Sequence, residues 1–185
     1  MSLSEDAKTE LLRIAKCSIE HEFREQEPLQ VHSETFAPEL RKPGACFVTL
    51  RIHDQLRGCI GSLQAKFSLV ADVAGNAHGA AFADPRFAQL TWPEFKQLEV
   101  FIAVLTRPEP VTFTSENDLL RQLQPHVDGV ILQDGLRQAT LIPAAWNSIR
   151  SAEEFVKTLK MKAGLPQNYW SETIHFQRYQ TETFS

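Results

Sequence analysis

Long apolar runs are missing from this sequence. No stretch approaches the roughly 18 apolar residues that a bilayer-spanning helix needs. Residues 1–6, Met-Ser-Leu-Ser-Glu-Asp, are acidic and lack the apolar core of a signal peptide. Cysteine is scarce: Cys17, Cys46 and Cys59 form no C-x-x-C pair, which argues against a disulfide framework and for a reducing compartment. A cytoplasmic protein without a membrane partner is therefore expected. An excess of positive charge is also lacking. Lys and Arg total 19 against 23 Asp and Glu, for a net charge of -4, whereas a dedicated nucleic-acid binder usually has a pI above about 9. No nucleic-acid partner is expected.

Signature motifs are missing as well. The sequence has no H-E-x-x-H, P-loop, G-x-G-x-x-G or G-x-S-x-G, and no Cys/His cluster. The other histidines (21, 32, 53, 126 and 175) show no metal-ligand spacing. Neither a metal nor a cofactor is implied. What is present is ordinary for a globular chain: 43% hydrophobic and 23% charged residues over 185 positions. A chain of that length buries about 70% of its unfolded surface and needs no staple.

The pattern predicts a helix over 4–26, with Ser4 as N-cap and Leu11, Ile14, Ala15, Ile19 and Phe23 on one face. Prolines 28, 38 and 43 mark 27–43 as a loop. From Gly44 the period becomes two, predicting a hairpin over 44–63 with a three-residue turn at 53–55. Helices follow over 68–83 and 116–123, with a short helical turn at 93–97. Strands follow over 98–106 and 173–179, with a second hairpin around Asp134-Gly135. A helix over 151–163 has a capping box from Ser151 and Glu154 and a stop at Gly164. Lys157, Lys160 and Lys162 near its end read as a solvated face. Hairpins dominate, so the fold class is α+β with a largely antiparallel sheet and packed helices. The first 41 residues form an N-terminal helix and loop, packed on one unit over 42–185. Asp54-Gln55-Leu56-Arg57 echoes Asp134-Gly135-Leu136-Arg137. An old internal duplication and chance both stay open.

Leu56-Arg57-Gly58-Cys59-Ile60-Gly61 carries most chemical information. Glycines within a strand mark a bulge or a close approach by backbone or ligand. If Ile52 faces Leu56, alternation puts Leu56 on the apolar face and Arg57 and Cys59 together on the other, with Arg51 opposite Arg57. A neighbouring guanidinium favours thiolate, the reactive form of cysteine. A small packed thiol is the alternative. On the second helix, His78 is a candidate base, Asn76 a candidate polar contact, and Gly75 and Gly79 candidates for close packing. Asp84-Pro85-Arg86 reads either as an anion-binding corner or as a turn closed by its own ion pair.

The string Arg57 to Leu63 resembles the hallmark of the AMMECR domain, whose prokaryotic members are called AmmeMemoRadiSam system protein A. The resemblance extends through Asp84-Pro85-Arg86-Phe87, Glu109-Pro110, Asp128-Gly129-Val130 and Lys162-Ala163-Gly164-Leu165. It implies a two-lobed α+β fold, and company in a radical SAM protein and a Memo-like protein. It implies no settled activity. Two functions follow. One is a cysteine-dependent enzyme: Cys59 as nucleophile, His78 as base, and Arg57, Gly58, Gly61, Asn76, Asp84 and Arg86 around the substrate. The other is a non-catalytic binding or scaffold module serving those partners. A homodimer is left open.

Overall fold

The computed structural model describes residues 2–185. The chain divides into two compact units, residues 1–105 with 182–185, and residues 106–181. In the first, α1 (Glu5–Glu25) starts where the Ser4 hydroxyl accepts the Ala7 N–H and stops at Gln26 in a left-handed conformation. The stretch expected to be a loop contains a 3-10 turn at Ser33–Thr35 and one turn of α-helix, α2 (Pro38–Arg41). Pro38 sits at its start, where the fixed φ of proline suits a helix. A two-residue strand β1 (Pro43–Gly44) precedes the hairpin β2 (Cys46–Ile52) and β3 (Gln55–Gly61). Then come β4 (Phe67–Ser68), paired with β1, α3 (Leu69–Phe82), α4 (Trp92–Phe95) and β5 (Glu99–Leu105).

The first hairpin corrects the expected register. His53 and Asp54 both have positive φ and make a two-residue turn, so Ile52 faces Gln55. Leu50 pairs with Gly58 and Arg51 with Leu56, leaving Arg57 as the extra residue of a β-bulge. Leu56 consequently leaves the apolar face and is 43% exposed. Arg51 does not stand opposite Arg57.

In the second unit, the sequence runs through β6 (Glu109–Pro110), α5 (Glu116–Gln122), β7 (Gly129–Asp134), β8 (Arg137–Leu141), α6 (Ala152–Lys162) and β9 (His175–Tyr179). The hairpin turns at Gly135-Leu136, one residue later than its sequence signal, because Asp134 pairs with Arg137. Ser151 accepts the Glu154 N–H, but the Glu154 carboxylate reaches past the cap to the Arg150 N–H. Lys160 is fully buried, not solvated. Its ammonium donates to Glu116 at 2.7 Å and to the Gln167 carbonyl at 3.3 Å. The final strand, β10 (Thr181–Phe184), has no sequence signal and returns to the first unit beside β5.

The two four-stranded sheets have matching orders, β10-β5-β2-β3 and β6-β9-β7-β8. Each unit therefore runs helix, hairpin, helix, strand, and the last of these strands lies beside the first hairpin strand. Counted from each turn, Leu50–Gly58 matches Leu132–Ala139, and Thr49–Cys59 matches Ile131–Thr140. The echoing tetrapeptides do not occupy matching rungs. The repeat lies in topology and packing rather than in that string.

The first core forms where α1 and α3 pack together over the sheet, with Leu11, Ile19, Val48, Leu50, Val73, Ala77 and Ile102 buried. The second gathers Leu119, Val130, Leu132, Phe155, Leu159 and Phe176, with Trp146 stacked on Phe155. Each fully buried aliphatic contributes about 1.5–3 kcal/mol. The α3–β3 contact is unusually close. A Cβ at Gly58 would lie 2.0 Å from the Ala80 carbonyl oxygen; within the sheet, one at Gly61 would lie 2.2 Å from the Phe47 ring of β2. Gly79 meets Ile60, whereas Gly75 faces open space and packs on nothing.

These glycines generate a paired prediction. Gly58→Ala destabilises the protein by about 1–3 kcal/mol or more, since backbone must move. Gly75→Ala stabilises by roughly 0.5–1 kcal/mol, as an alanine fits a helix better. Urea unfolding of both variants checks the two signs.

Candidate functional site

β3 is the edge of its sheet, so the outward-facing polar groups of its main chain need partners other than a strand. At Cys59 they find Asp84 and Arg86, on the segment that leaves α3. The Cys59 N–H donates to Asp84 Oδ2 at 2.9 Å, and Arg86 Nη2 donates to the Cys59 carbonyl at 3.2 Å. Arg86 also grips Asp84 through Nε at 2.9 Å and Nη2 at 2.7 Å, and its own N–H donates to Oδ1. Asp84 is only 4% exposed. The Arg86 guanidinium beside it holds its carboxyl well below the usual aspartate range, helped by the Cys59 N–H. Asp84 foremost, and more weakly the Cys59 thiol, raise Arg86 in turn.

The Cys59 thiol is half-buried and lies 3.2 Å from the Thr49 hydroxyl, its cross-strand partner. Arg57 engages elsewhere. Its Nε donates to Glu94 Oε1 at 2.8 Å, and its Nη2 to Glu94 Oε2 and the Gln89 carbonyl at 3.2 Å each. Arg57 Nη1 is buried with no partner among the described residues. Glu94 also accepts the Thr91 N–H and hydroxyl, capping α4. Arg57 therefore fixes the bulge to a helix N-terminus, and it lowers the Glu94 carboxyl to about 2. Both guanidiniums lean on the Phe87 ring, Arg57 at 5.9 Å and Arg86 at 5.5 Å from its centroid.

The remaining candidates lie apart from this group. His78 turns to α1, where its Nε2 is 2.8 Å from the Glu22 carboxylate, and its ring packs on Phe82. Nothing joins it to Cys59. Asn76 belongs to a second polar cluster, donating to Asp72 Oδ2 at 2.9 Å and to the Cys46 carbonyl at 3.2 Å. That Asp72 oxygen also accepts the Cys46 N–H and the Ser62 hydroxyl. Burial pushes Asp72 up, and burial followed by the nearby Asp72 pushes the Cys46 thiol well up. Reading the sequence missed Thr49, Phe87 and Glu94 as site residues. The signals for two were present: Thr91-x-x-Glu94 is a capping-box pattern, and Phe87 closes the Asp-Pro-Arg-Phe string. No group of three or more His, Cys, Asp or Glu side chains among the described residues could hold a metal ion. No helix among them is long and apolar enough to cross a membrane.

The order in which these residues occur matches a family model. The AMMECR1 family model covers residues 12–184. The chain belongs to the AMMECR1 family. A protein of Methanothermobacter thermautotrophicus is 32% identical over 98% of this chain and 95% of its own length. One from Thermotoga maritima is 36% identical over 78% of each. The crystal structure of an uncharacterised Pyrococcus horikoshii protein superposes with a TM-score of 0.85 at 30% identity, covering 94% of this chain and 88% of that one. This supports the α+β fold implied by the AMMECR resemblance. The relatives' names supply no reaction.

The Arg57–Glu94 pair generates a pH prediction. Glu94 is depressed from an unfolded value of about 4.3, so its pairing stabilises fully above that pH and fades as pH falls toward about 2. Urea midpoints of wild type and Glu94→Gln should therefore differ at neutral pH and converge across that window.

Proposed function

We propose that Cys59 is a reactive thiol in a site for anionic, electrophilic substrates. The observation that carries this reading is the Arg86 guanidinium, clamped by Asp84 beside a half-buried cysteine. The guanidinium is bonded to the Cys59 carbonyl, and a fixed cation near a cysteine favours the thiolate, which is the nucleophile. Arg86 takes the role that the sequence suggested for Arg57. Arg57 leans on the same Phe87 ring and holds the bulge to Glu94, with its Nη1 buried beneath the site. Thr49 orients the sulfur. His78 has no part as a base, and the thiol proton leaves to solvent. Gly58 serves by bringing β3 under α3 and Gly61 by clearing the Phe47 ring of β2, and Asn76 belongs to the Cys46 cluster.

A second reading is a non-catalytic module that docks other proteins, of which a radical SAM protein and a Memo-like protein are the candidates the family resemblance raises. One observation favours it: each motif residue already has a structural task, since Gly58 clears Ala80 and Asp84 with Arg86 seals the sheet edge.

Alkylation by iodoacetamide separates the two. Sulfur displaces iodide to form an S–C bond, and peptide mass spectrometry assigns the label. Cys59 should react faster than Cys17 in the native protein. Cys46, fully buried and with its thiol pushed up, should stay unlabelled until unfolding. Arg86→Gln should slow Cys59 about tenfold if a cation of roughly 1–2 kcal/mol effect is removed. Protection of Cys59 until unfolding, or rates indifferent to Arg86, would leave the docking module as the better reading.

A further inference from the structure

We propose that the second unit carries a binding site for a small zwitterion of the α-amino acid class, in the cavity bounded by Arg107, Asp128 and Arg178. The cavity is about 370 Å³, within the roughly 300–1,000 Å³ of small-molecule sites. Glu109, Gln124 and Tyr179 complete the part of its wall that matters. The proposal is independent of Cys59.

The anionic half of the ligand is called for by two arginines. Neither Arg107 nor Arg178 pairs with a carboxylate within 4.0 Å among the described residues. Glu109 lies directly across from Arg178 in the β6–β9 register, yet the two make no ion pair. Unpaired guanidiniums at a concave surface are suited to a bidentate carboxylate.

The cationic half is called for by Asp128, which is 3% exposed. Its Oδ2 accepts the Gln124 N–H at 2.9 Å. Its Oδ1 accepts nothing among the described residues. Oδ1 is not buried against protein and, at the cavity wall, is the acceptor left open to a ligand ammonium. His126, with a positive φ of 64°, bends the 124–128 loop that holds Asp128 at the wall. Tyr179 adds a ring but no charge. Burial pushes its phenol up to about 12, and the hydroxyl lies 2.8 Å from that of Thr140.

Charge balance selects the class. Two guanidiniums and two carboxylates cancel, so a simple anion or a simple cation gains little from the site as a whole. A molecule with a carboxylate at one end and an ammonium at the other satisfies both arginines and Asp128 together.

Backbone NMR of the full chain, titrated with L-alanine and with L-glutamate, tests this. Propionate, ethylamine and inorganic phosphate serve as single-charge probes. The expected result is a saturable shift at Arg107, Asp128 and Arg178 for at least one amino acid, with every single-charge probe about tenfold weaker or more. Asp128→Asn and Arg178→Gln should each weaken amino-acid binding about tenfold. The amide in Asp128→Asn keeps an oxygen for the Gln124 N–H, so the loop can persist, and the spectrum of each variant reports its fold. No saturable shift with either amino acid would overturn the proposal. So would propionate or phosphate binding as tightly as the amino acid, or two folded variants that bind like wild type.

Discussion

The Asp84 carboxylate is the interaction on which the first unit's site depends. It meets a problem every open sheet has, an edge strand with bare N–H and C=O groups. Asp84 takes the Cys59 N–H, and through Arg86 it delivers a donor to the Cys59 carbonyl. One residue's outward main chain is thereby satisfied without another strand. The geometry requires α3 to lie almost on the backbone of β3, and Gly58 permits that by presenting hydrogen to the Ala80 carbonyl. Glycine, aspartate and arginine form one mechanical unit, although they are spread over 29 positions of sequence (58 to 86).

The second unit meets the same problem on the same rung. Thr140 occupies the position of Cys59, and its carbonyl accepts from Lys162, at the end of the helix that follows the hairpin. Ala139 stands where Gly58 does. There a lysine supplies a donor alone, whereas Asp84 and Arg86 supply acceptor and donor together. A fixed guanidinium beside a cysteine is what distinguishes the Cys59 rung. The two units share a plan and differ in the chemistry placed on it.

Paired charge is handled differently in each unit, its cation partly buried in the first and wholly buried in the second. Arg57 and Glu94 hold a bulge to a helix start, with Glu94 serving as cap and counterion at once. Lys160 is wholly enclosed, and its ammonium lies 5.3 Å over the Trp170 ring while bonding Glu116. Such a charge is tolerated only because each of its partners is in place.

The sequence by itself determined the elements. Apolar period, caps and turn residues located the long helices and both hairpins, because those signals act within a few residues of chain. It also made Cys59 conspicuous through the glycines around it. Only the tertiary structure decided which charges meet. The bulge at Arg57 moved Leu56 into solvent and removed the expected Arg51–Arg57 opposition. Arg57 went to Glu94, 37 positions away, and His78 to Glu22, 56 positions away. Lys160 looked like part of a solvated face and became core. The strand β10 carries too few residues to announce itself and forms because β5 offers a free edge. The physical reason is common to all of these. Local periodicity fixes backbone conformation, but a side chain's partner depends on where distant elements pack, and that is settled by volume at residues as small as Gly58.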